Sequence, residues 1–436
     1  MNLSEAQIKK LDIVLAVIAV IIIFFNILNR CSQDKEFILE EVEQEYISIN
    51  NLISNDMSDM EQTRKLDNYV EKFLKRWEIK GGSLAIMKEG RLVYAKGYGW
   101  ADEELEKKTE AGNIFRVASL SKLITATAIM KMVEDSLLSL DDKVFGEEGI
   151  LNEEQFSHYR DKRVQRITVE HLLRHKGGFA TYRGDPLFTT REIMIWENLD
   201  TVPDMDRVIE YTLSQRLGFN PGASTKYSNA GYLILSKIIE KLSGMGYEEY
   251  CQKNILYPSG CYDMHLARNL YQDKYPNEVR YYEPHDATPI ASYDKNSSDT
   301  LYRRYGGNNI EGLYGAGGWV SSASEFVMFV SHIDGDETIP DILSPESIRK
   351  MITCEGGELP IGWSRAGVNS EWKRTGTLAG SSAIVKRQKD GTIWMFVTNT
   401  SSWKGNKFPG YIETMVRRGS TGIEFPESQN LLEISQ

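Results

Sequence analysis

The chain has 436 residues, 41% hydrophobic and 26% charged, ordinary proportions for a globular protein with a sizeable core and no bulk disorder. Lys and Arg number 51 against 62 Asp and Glu, a formal net charge of -11, a poor electrostatic match to a polyphosphate backbone that sets nucleic acid aside as a partner. Cys31, Cys251, Cys261 and Cys354 are too few for a disulfide scaffold and lack C-x-x-C spacing; Cys251 and Cys261 read as separate buried thiols, with pairing in an oxidising compartment as the alternative.

In chain order, the first feature is an uncharged run, residues 13–29, mostly Ile, Val, Leu and Phe, at the ~17-residue lower limit for a membrane-spanning helix. Lys9 and Lys10 precede it, which predicts an inside amino terminus with the rest of the chain outside, a bias that Arg30 weakens. Ile27-Leu28-Asn29-Arg30-Cys31 lacks the small residues of a signal-peptide cleavage site. Residues 1–30 therefore read as a cytoplasmic flank and retained transmembrane anchor, single-pass in the cell membrane with the bulk of the chain extracytoplasmic. Lipid modification of Cys31 is the alternative, with Leu28 in its favour and Asn29 and Arg30 against it.

Residues 31–65 are expected as an acidic amphipathic stalk, because Val42, Tyr46, Ile49 and Ile53 recur at helical spacing. Such a stalk either self-associates or serves as a solvated spacer. A second amphipathic pattern covers residues 66–77, and apolar runs on either side of Lys88-Glu89-Gly90 predict a β-hairpin. Residues 120–133 are apolar on nearly every face, the mark of a buried helix. The middle, about 141–309, mixes helical patterns at 169–175 and 231–242 with polar loops. Strand-like runs return at 318–320, 381–385 and 392–397. Strands, then helices, then strands predict one sheet interrupted by a helical insertion at about 119–310.

Three short motifs carry chemistry. Ser119-Leu120-Ser121-Lys122 opens the buried helix, and its three-residue step puts Ser119 and Lys122 on one face within hydrogen-bonding reach. A buried lysine with a lowered pKa can take a serine proton, and a helix start stabilises developing negative charge. Alone the motif is weak, since a capping serine with an exposed lysine is the commoner reading. Here Lys122 falls on a helix that is apolar all round, where a lysine without a role is costly.

Tyr227-Ser228-Asn229 follows the turn signal Asn220-Pro221-Gly222. A tyrosine there can pass a proton between nucleophile and leaving group, and an asparagine can hold both the lysine and a substrate amide. In Arg374-Thr375-Gly376-Thr377, entering a strand, Gly376 is expected to let substrate approach the backbone, and the N–H groups of Thr377 and Ser119 to form an oxyanion hole. Singly, the second and third motifs read as a turn and as a strand end.

Together, the three motifs resemble those of the family of class C β-lactamases, D-alanyl-D-alanine carboxypeptidases and related esterases. The likeness extends through Gly90-Arg91-Leu92-Val93-Tyr94, Phe115-Arg116-Val117-Ala118-Ser119, Leu138-Ser139-Leu140-Asp141-Asp142, Ile167-Thr168-Val169-Glu170-His171-Leu172-Leu173-Arg174-His175 and Gly315-Ala316-Gly317-Gly318-Trp319. It covers about residues 70–418.

The resemblance implies an α+β, β-lactamase/transpeptidase-like fold: an antiparallel sheet flanked by helices plus a mostly helical subdomain, with the site in the crevice between them. It implies a serine hydrolase domain at 66–420, a tail at 421–436, an acyl-enzyme on Ser119, and no cofactor or metal. Expected substrates are small molecules or peptides, with cell-wall peptide, D-amino-acid peptides and β-lactams foremost. An esterase and a slowly deacylating penicillin-binding sensor are the alternatives. The family usually carries Lys or His where this chain has Arg374, which cannot lose its proton; Arg374 is expected to bind a substrate carboxylate and keep Lys122 neutral.

Other signals carry less. His171 and His175 are four apart but lack a third ligand, and are expected to brace the loop beside the site. The glycines of 312–318 lack a Gly-Lys-Ser/Thr ending and read as close backbone packing, and no G-x-S-x-G elbow is present.

Overall fold

The computed structural model describes residues 46–433. The expected anchor at 1–30, Cys31, Val42 and the stalk up to residue 45 lie outside the described residues, as does 434–436 at the end of the tail. Among the described residues no helix is long and apolar enough to cross a membrane. Ser48–Gln436 forms one compact unit.

Its strands are β1 (Gly81–Lys88), β2 (Arg91–Asp102), β3 (Lys107–Lys108), β4 (Phe115–Arg116), β5 (His265–Leu266), β6 (Ile290–Ala291), β7 (Thr300–Leu301), β8 (Trp319–Ser321), β9 (Trp372–Leu378), β10 (Ser381–Arg387) and β11 (Ile393–Thr398). The main sheet runs β3-β2-β1-β11-β10-β9, with every neighbour antiparallel. β1 and β2 join through Glu89-Gly90, both at positive φ (52° and 71°), as a two-residue hairpin whose twist matches its strands requires. The chain then leaves the sheet and returns as β9 to β11, so that β11 lies beside β1 and β9 is left at one edge. Between β3 and β9 come the helical insertion and a small sheet ordered β4-β8-β5.

The central strands β1, β10 and β11 are buried on both faces and read as largely apolar runs, whereas β9 alternates between buried and half-buried positions; strand parity decides which core each side chain enters. Leu84 and Ile86, opposite Phe396 and Trp394, face the helices Arg64–Trp77 and Phe408–Ser420. Ala85 and Met87, opposite Met395 and Ile393, face the main core, where the helix Ala323–Ser331 lies on β1 and β11. The helix Ser121–Glu134 is buried at every position from Ser121 to Met130, as its unbroken apolar surface predicts. The helix Asn229–Ser243 packs against it. Cys251 and Cys261 are free buried thiols.

The stalk reading requires correction from residue 48 onward. Ile49 and Ile53 do not share the face of a free helix: each is buried in the main core, and the segment makes only short helical turns, at Ile49–Asn51, Asn55–Ser58 and Glu61–Thr63, before the helix that starts at Arg64. The Ser48 side chain accepts from the Asn50 N–H at 3.1 Å and donates to Glu325 at 2.7 Å, while Asn50 donates to Asp263 at 2.8 Å. Ser and Asn side chains that bond nearby backbone offer the chain an alternative to helix, and here the domain's polar groups select it. The expected tail also folds back: Arg91 bonds the carbonyls of Pro426 and Glu427 at 3.0 and 2.7 Å, and Leu431 is buried.

Candidate active site

Ser119 lies in a tight turn, Ala118–Leu120, that runs directly into the helix Ser121–Glu134. Ala118 has φ 51°, a left-handed conformation that costs a residue with a Cβ roughly 1 kcal/mol or more. The surroundings hold it there. The Val117 N–H donates to the Trp319 carbonyl at 3.0 Å, and the Ser121 hydroxyl donates to the Ala118 carbonyl at 2.6 Å while accepting from the Trp319 N–H at 3.1 Å. A Cβ on Gly376 would sit 2.5 Å from the Val117 carbonyl oxygen and 2.9 Å from the Ser119 nitrogen. Gly376 is therefore needed for β9 to close on this turn, and it also lines the cleft beside Ser119.

One helical turn on, Lys122 is fully buried. Its Nζ lies 3.4 Å from Ser119 Oγ, donates to Asn229 Oδ1 at 2.7 Å and also donates to the Ala316 carbonyl. Burial pulls this amine down to about 8; the Tyr227 phenol pulls it back up, and the Arg374 cation adds a smaller push downward. Tyr227 OH stands 2.6 Å from Ser119 Oγ. Burial raises its phenol, but Lys122 and Arg374 outweigh that and leave it lowered overall. Since 44% of the residue is open to the cleft, solvent also screens these charges.

Arg374 projects from the buried face of β9, 3% exposed. Its Nε donates to the Ser119 carbonyl at 2.9 Å, and a terminal nitrogen lies 3.4 Å from Tyr227 OH. Strand parity sends Lys373 to the other face, where it pairs with Glu413 at 3.0 Å. The N–H and carbonyl of Lys373 both bond Arg365, away from β10. By the same alternation the N–H groups of Thr375 and Thr377 point out along the open edge of β9. Ser119, Tyr227, Asn229, Arg374, Thr375, Gly376 and Thr377 all line one cavity of about 370 Å³, with no carboxylate among its described lining residues.

Asp185, which sequence reasoning missed, and His175, expected only to brace the adjacent loop, position this group. Asp185 accepts from Asn229 Nδ2 at 2.7 Å, which turns Asn229 Oδ1 toward Lys122; it comes from a loop with no motif of its own. His175 does more than brace a loop. Its ring lies 4.5 Å from that of Tyr227, and its Nδ1 accepts the Ser228 N–H at 3.2 Å. Burial, then Arg374 and Lys122, holds this imidazole well below its ordinary pKa, so it is neutral. His171 instead caps its own helix with Thr168 and does not reach the cleft. Gly315 is required by packing, as a Cβ there would meet the Ser236 hydroxyl at 2.5 Å and the Tyr247 hydroxyl at 2.8 Å.

The arrangement is a serine with a short hydrogen bond to a phenol, and a buried amine beside both that titrates near neutrality. Such a group can deliver a proton-stripped hydroxyl to a carbonyl carbon.

The Beta-lactamase family matches residues 66–410. Penicillin-binding protein 4* of Bacillus subtilis (strain 168) is 25% identical over 287 residues, 64% of this chain and 57% of that protein. Protein flp of Staphylococcus aureus (strain COL) is 26% identical over 232 residues, 52% of this chain and 43% of that protein. The matches thus span about half the length of these curated relatives. Among solved structures, the octameric penicillin-binding protein homologue from Pyrococcus abyssi has a TM-score of 0.61 at 26% identity, covering 84% of this chain and 78% of that one. The D-amino acid amidase from Ochrobactrum anthropi SV3, complexed with L-phenylalanine amide, has a TM-score of 0.64 at 18% identity, covering 83% and 98%, and so shares the fold.

Proposed function

The chain belongs to the beta-lactamase family, and on that premise we propose that it is a membrane-anchored serine hydrolase whose acyl-enzyme forms on Ser119. The observation that carries this reading is the placement of Ser119 Oγ 2.6 Å from Tyr227 OH and 3.4 Å from Lys122 Nζ.

In the proposed reaction, the Lys122–Tyr227 pair takes the Ser119 proton as Oγ attacks a substrate carbonyl. The pair titrates as a unit, so the proton belongs to both groups. The tetrahedral oxygen accepts from the N–H groups of Ser119 and Thr377, and Tyr227 returns the proton to the leaving group as the carbonyl–leaving-group bond breaks. Water then attacks the ester carbonyl, giving its proton to the same pair, and Ser119 recovers a proton as the product acid departs. Asn229 holds the amine in place and is itself held by Asp185.

For substrate, we propose an amide or lactam with a nearby free carboxylate, the class that includes peptidoglycan-type and D-amino-acid peptides and β-lactams. Arg374 supports this: it is a buried guanidinium on a cavity wall that, among the described residues, carries no carboxylate, and guanidinium recognises carboxylates with good geometry. The relatives, a penicillin-binding protein and a D-amino acid amidase, support the same class. We further propose that residues 1–30 anchor the chain in the cell membrane with the hydrolase domain outside; protease digestion of intact cells that spares the domain would count against this.

The test is incubation of the detergent-solubilised full chain with penicillin and with a fluorophosphonate, followed by intact mass over time and peptide mapping. The expected result is an adduct on Ser119 that decays with penicillin. An adduct that persists indicates the sensor, and no adduct with either probe in a folded sample overturns the acyl-enzyme reading.

A further inference from the structure

The loop that contributes Asn406 to the active cavity contributes Ser401, Ser402 and Trp403 to a second, larger concavity of about 990 Å³. Its other aromatic walls are Trp77, at the end of the helix Arg64–Trp77, and Trp100 on β2. Trp403 is 70% exposed, unusual for the largest apolar side chain and a mark of a recognition surface. These rings are held in place. Trp403 is backed by the Lys404 ammonium 3.7 Å from its ring centre and meets Trp77 at 6.2 Å and 41°. Trp77 is wedged by Phe408 at 5.3 Å and Tyr411 at 4.9 Å, and Trp100 carries Lys108 at 3.1 Å.

The rim supplies donors and acceptors together: Glu78 with His285 at 3.1 Å, and Lys80 with Glu103 at 2.6 Å. Carboxylates outnumber Lys and Arg among the lining residues, which disfavours a polyanion. A lipid tail would set these rim charges against hydrocarbon instead of water. A sugar ring fits both halves, since it presents a flat C–H face to an indole and hydroxyl and amide groups at its edge. Trp403 and Asn406 are three residues apart, at most about 11 Å of chain, so the groove and the active cavity are neighbours.

We propose that this groove binds a glycan chain, its sugar faces laid on Trp77 and Trp403 and its edge groups bonded by Glu78, Glu103 and His285. An extended substrate then carries its sugar here and its scissile amide to Ser119. The identity of the sugar, an N-acetylated amino sugar, rests on the cell-wall reading of the Ser119 site; the binding does not.

The experiment is titration of the full chain with tetra-N-acetylchitotetraose, read by isothermal calorimetry and tryptophan fluorescence. Saturable binding is expected, equal in the wild type and in Ser119→Ala. Trp403→Ala is expected to weaken it about tenfold or more with an unchanged melting temperature, the size of loss typical of an aromatic anchor. Trp403→Tyr is expected to recover part of it. No heat and no fluorescence change up to millimolar sugar, or wild-type affinity in Trp403→Ala, overturns the proposal. A chain that binds the sugar but takes no acyl group on Ser119 refutes the hydrolase reading alone.

Discussion

On the outer face of the sheet, Lys96, Tyr94 and Tyr98 surround Asp67; in the cleft, Lys122 and Tyr227 surround Ser119 with Arg374 behind them. The residue types are the same and the chemistry is opposite. Tyr94 and Tyr98 donate to Asp67 at 2.5 and 2.7 Å, and Lys96 pairs with Asp67 at 3.2 Å and with Asp59. Burial raises both phenols and the neighbouring carboxylate adds to it. Burial lowers Lys96, but Asp59 and Asp67 outweigh it, so the amine stays charged. That cluster is locked: two neutral phenols and a permanent cation.

The cleft has a guanidinium where the outer cluster has a carboxylate. Burial above all, with a smaller push from Arg374, lowers Lys122 to about 8, while Lys122 first and Arg374 after it lower Tyr227 against its burial. Arg374 cannot share in the exchange, and its bonds to the Ser119 carbonyl and Tyr227 hold the geometry instead. Lys–Tyr groupings thus titrate differently according to how deeply the amine is buried and to the sign of the third neighbour.

Substitutions can break that contrast. Ser119→Ala is expected to remove roughly four orders of magnitude of turnover, since among the described residues no other hydroxyl bonds the pair; burst-phase and steady-state assays of a chromogenic β-lactam or D-peptide read it. Lys122→Met keeps the volume but removes the amine, and an acylation rate lower by about 10³-fold is expected, within the range for a positioned acid–base group. Arg374→Glu imports the outer cluster's arrangement into the cleft. It should raise the Lys122 pKa, push the acid limb of kcat/KM to higher pH, and lower activity at neutral pH by on the order of 10²-fold, with partial recovery at alkaline pH; an unmoved acid limb would refute the electrostatic role. Asp67→Asn tests the other side. It should cost about 1–2 kcal/mol of stability in denaturant unfolding, by weakening bonds to two buried hydroxyls, and leave turnover within about twofold.

The contrast also explains what sequence reasoning could reach. Ser119, Lys122, Tyr227, Asn229 and Arg374 were legible because local spacing set two of them on one turn and short motifs carried the rest. Most of the six-stranded sheet was legible as apolar runs early and late in the chain, but the run at 318–320, expected in the same sheet, instead enters the small sheet as β8, where it pairs with β4 and β5. Asp185 was not, because its bond to Asn229 spans unrelated loops and no local pattern records it. The strain at Ala118 and the packing demand on Gly376 were hidden for the same cause: they arise where β9 meets the Val117–Ser119 turn, 255 residues apart at the Ser119–Arg374 bond. The segment from Ser48 was misread because Ile49 and Ile53 show helical spacing, whereas the polar groups that fix it, Asp263 and Glu325, lie far along the chain.

The central claim is that a buried amine, its pKa lowered to about 8, activates Ser119, and the rate of Ser119 acylation against pH tests it most directly. Below its pKa Lys122 is a cation and cannot accept a proton; above it the amine is free. The rate should therefore rise with pH through an apparent midpoint near the value of about 8 to which Lys122 is pulled. A rate that is flat across that range, or that is complete well below it, would contradict the account.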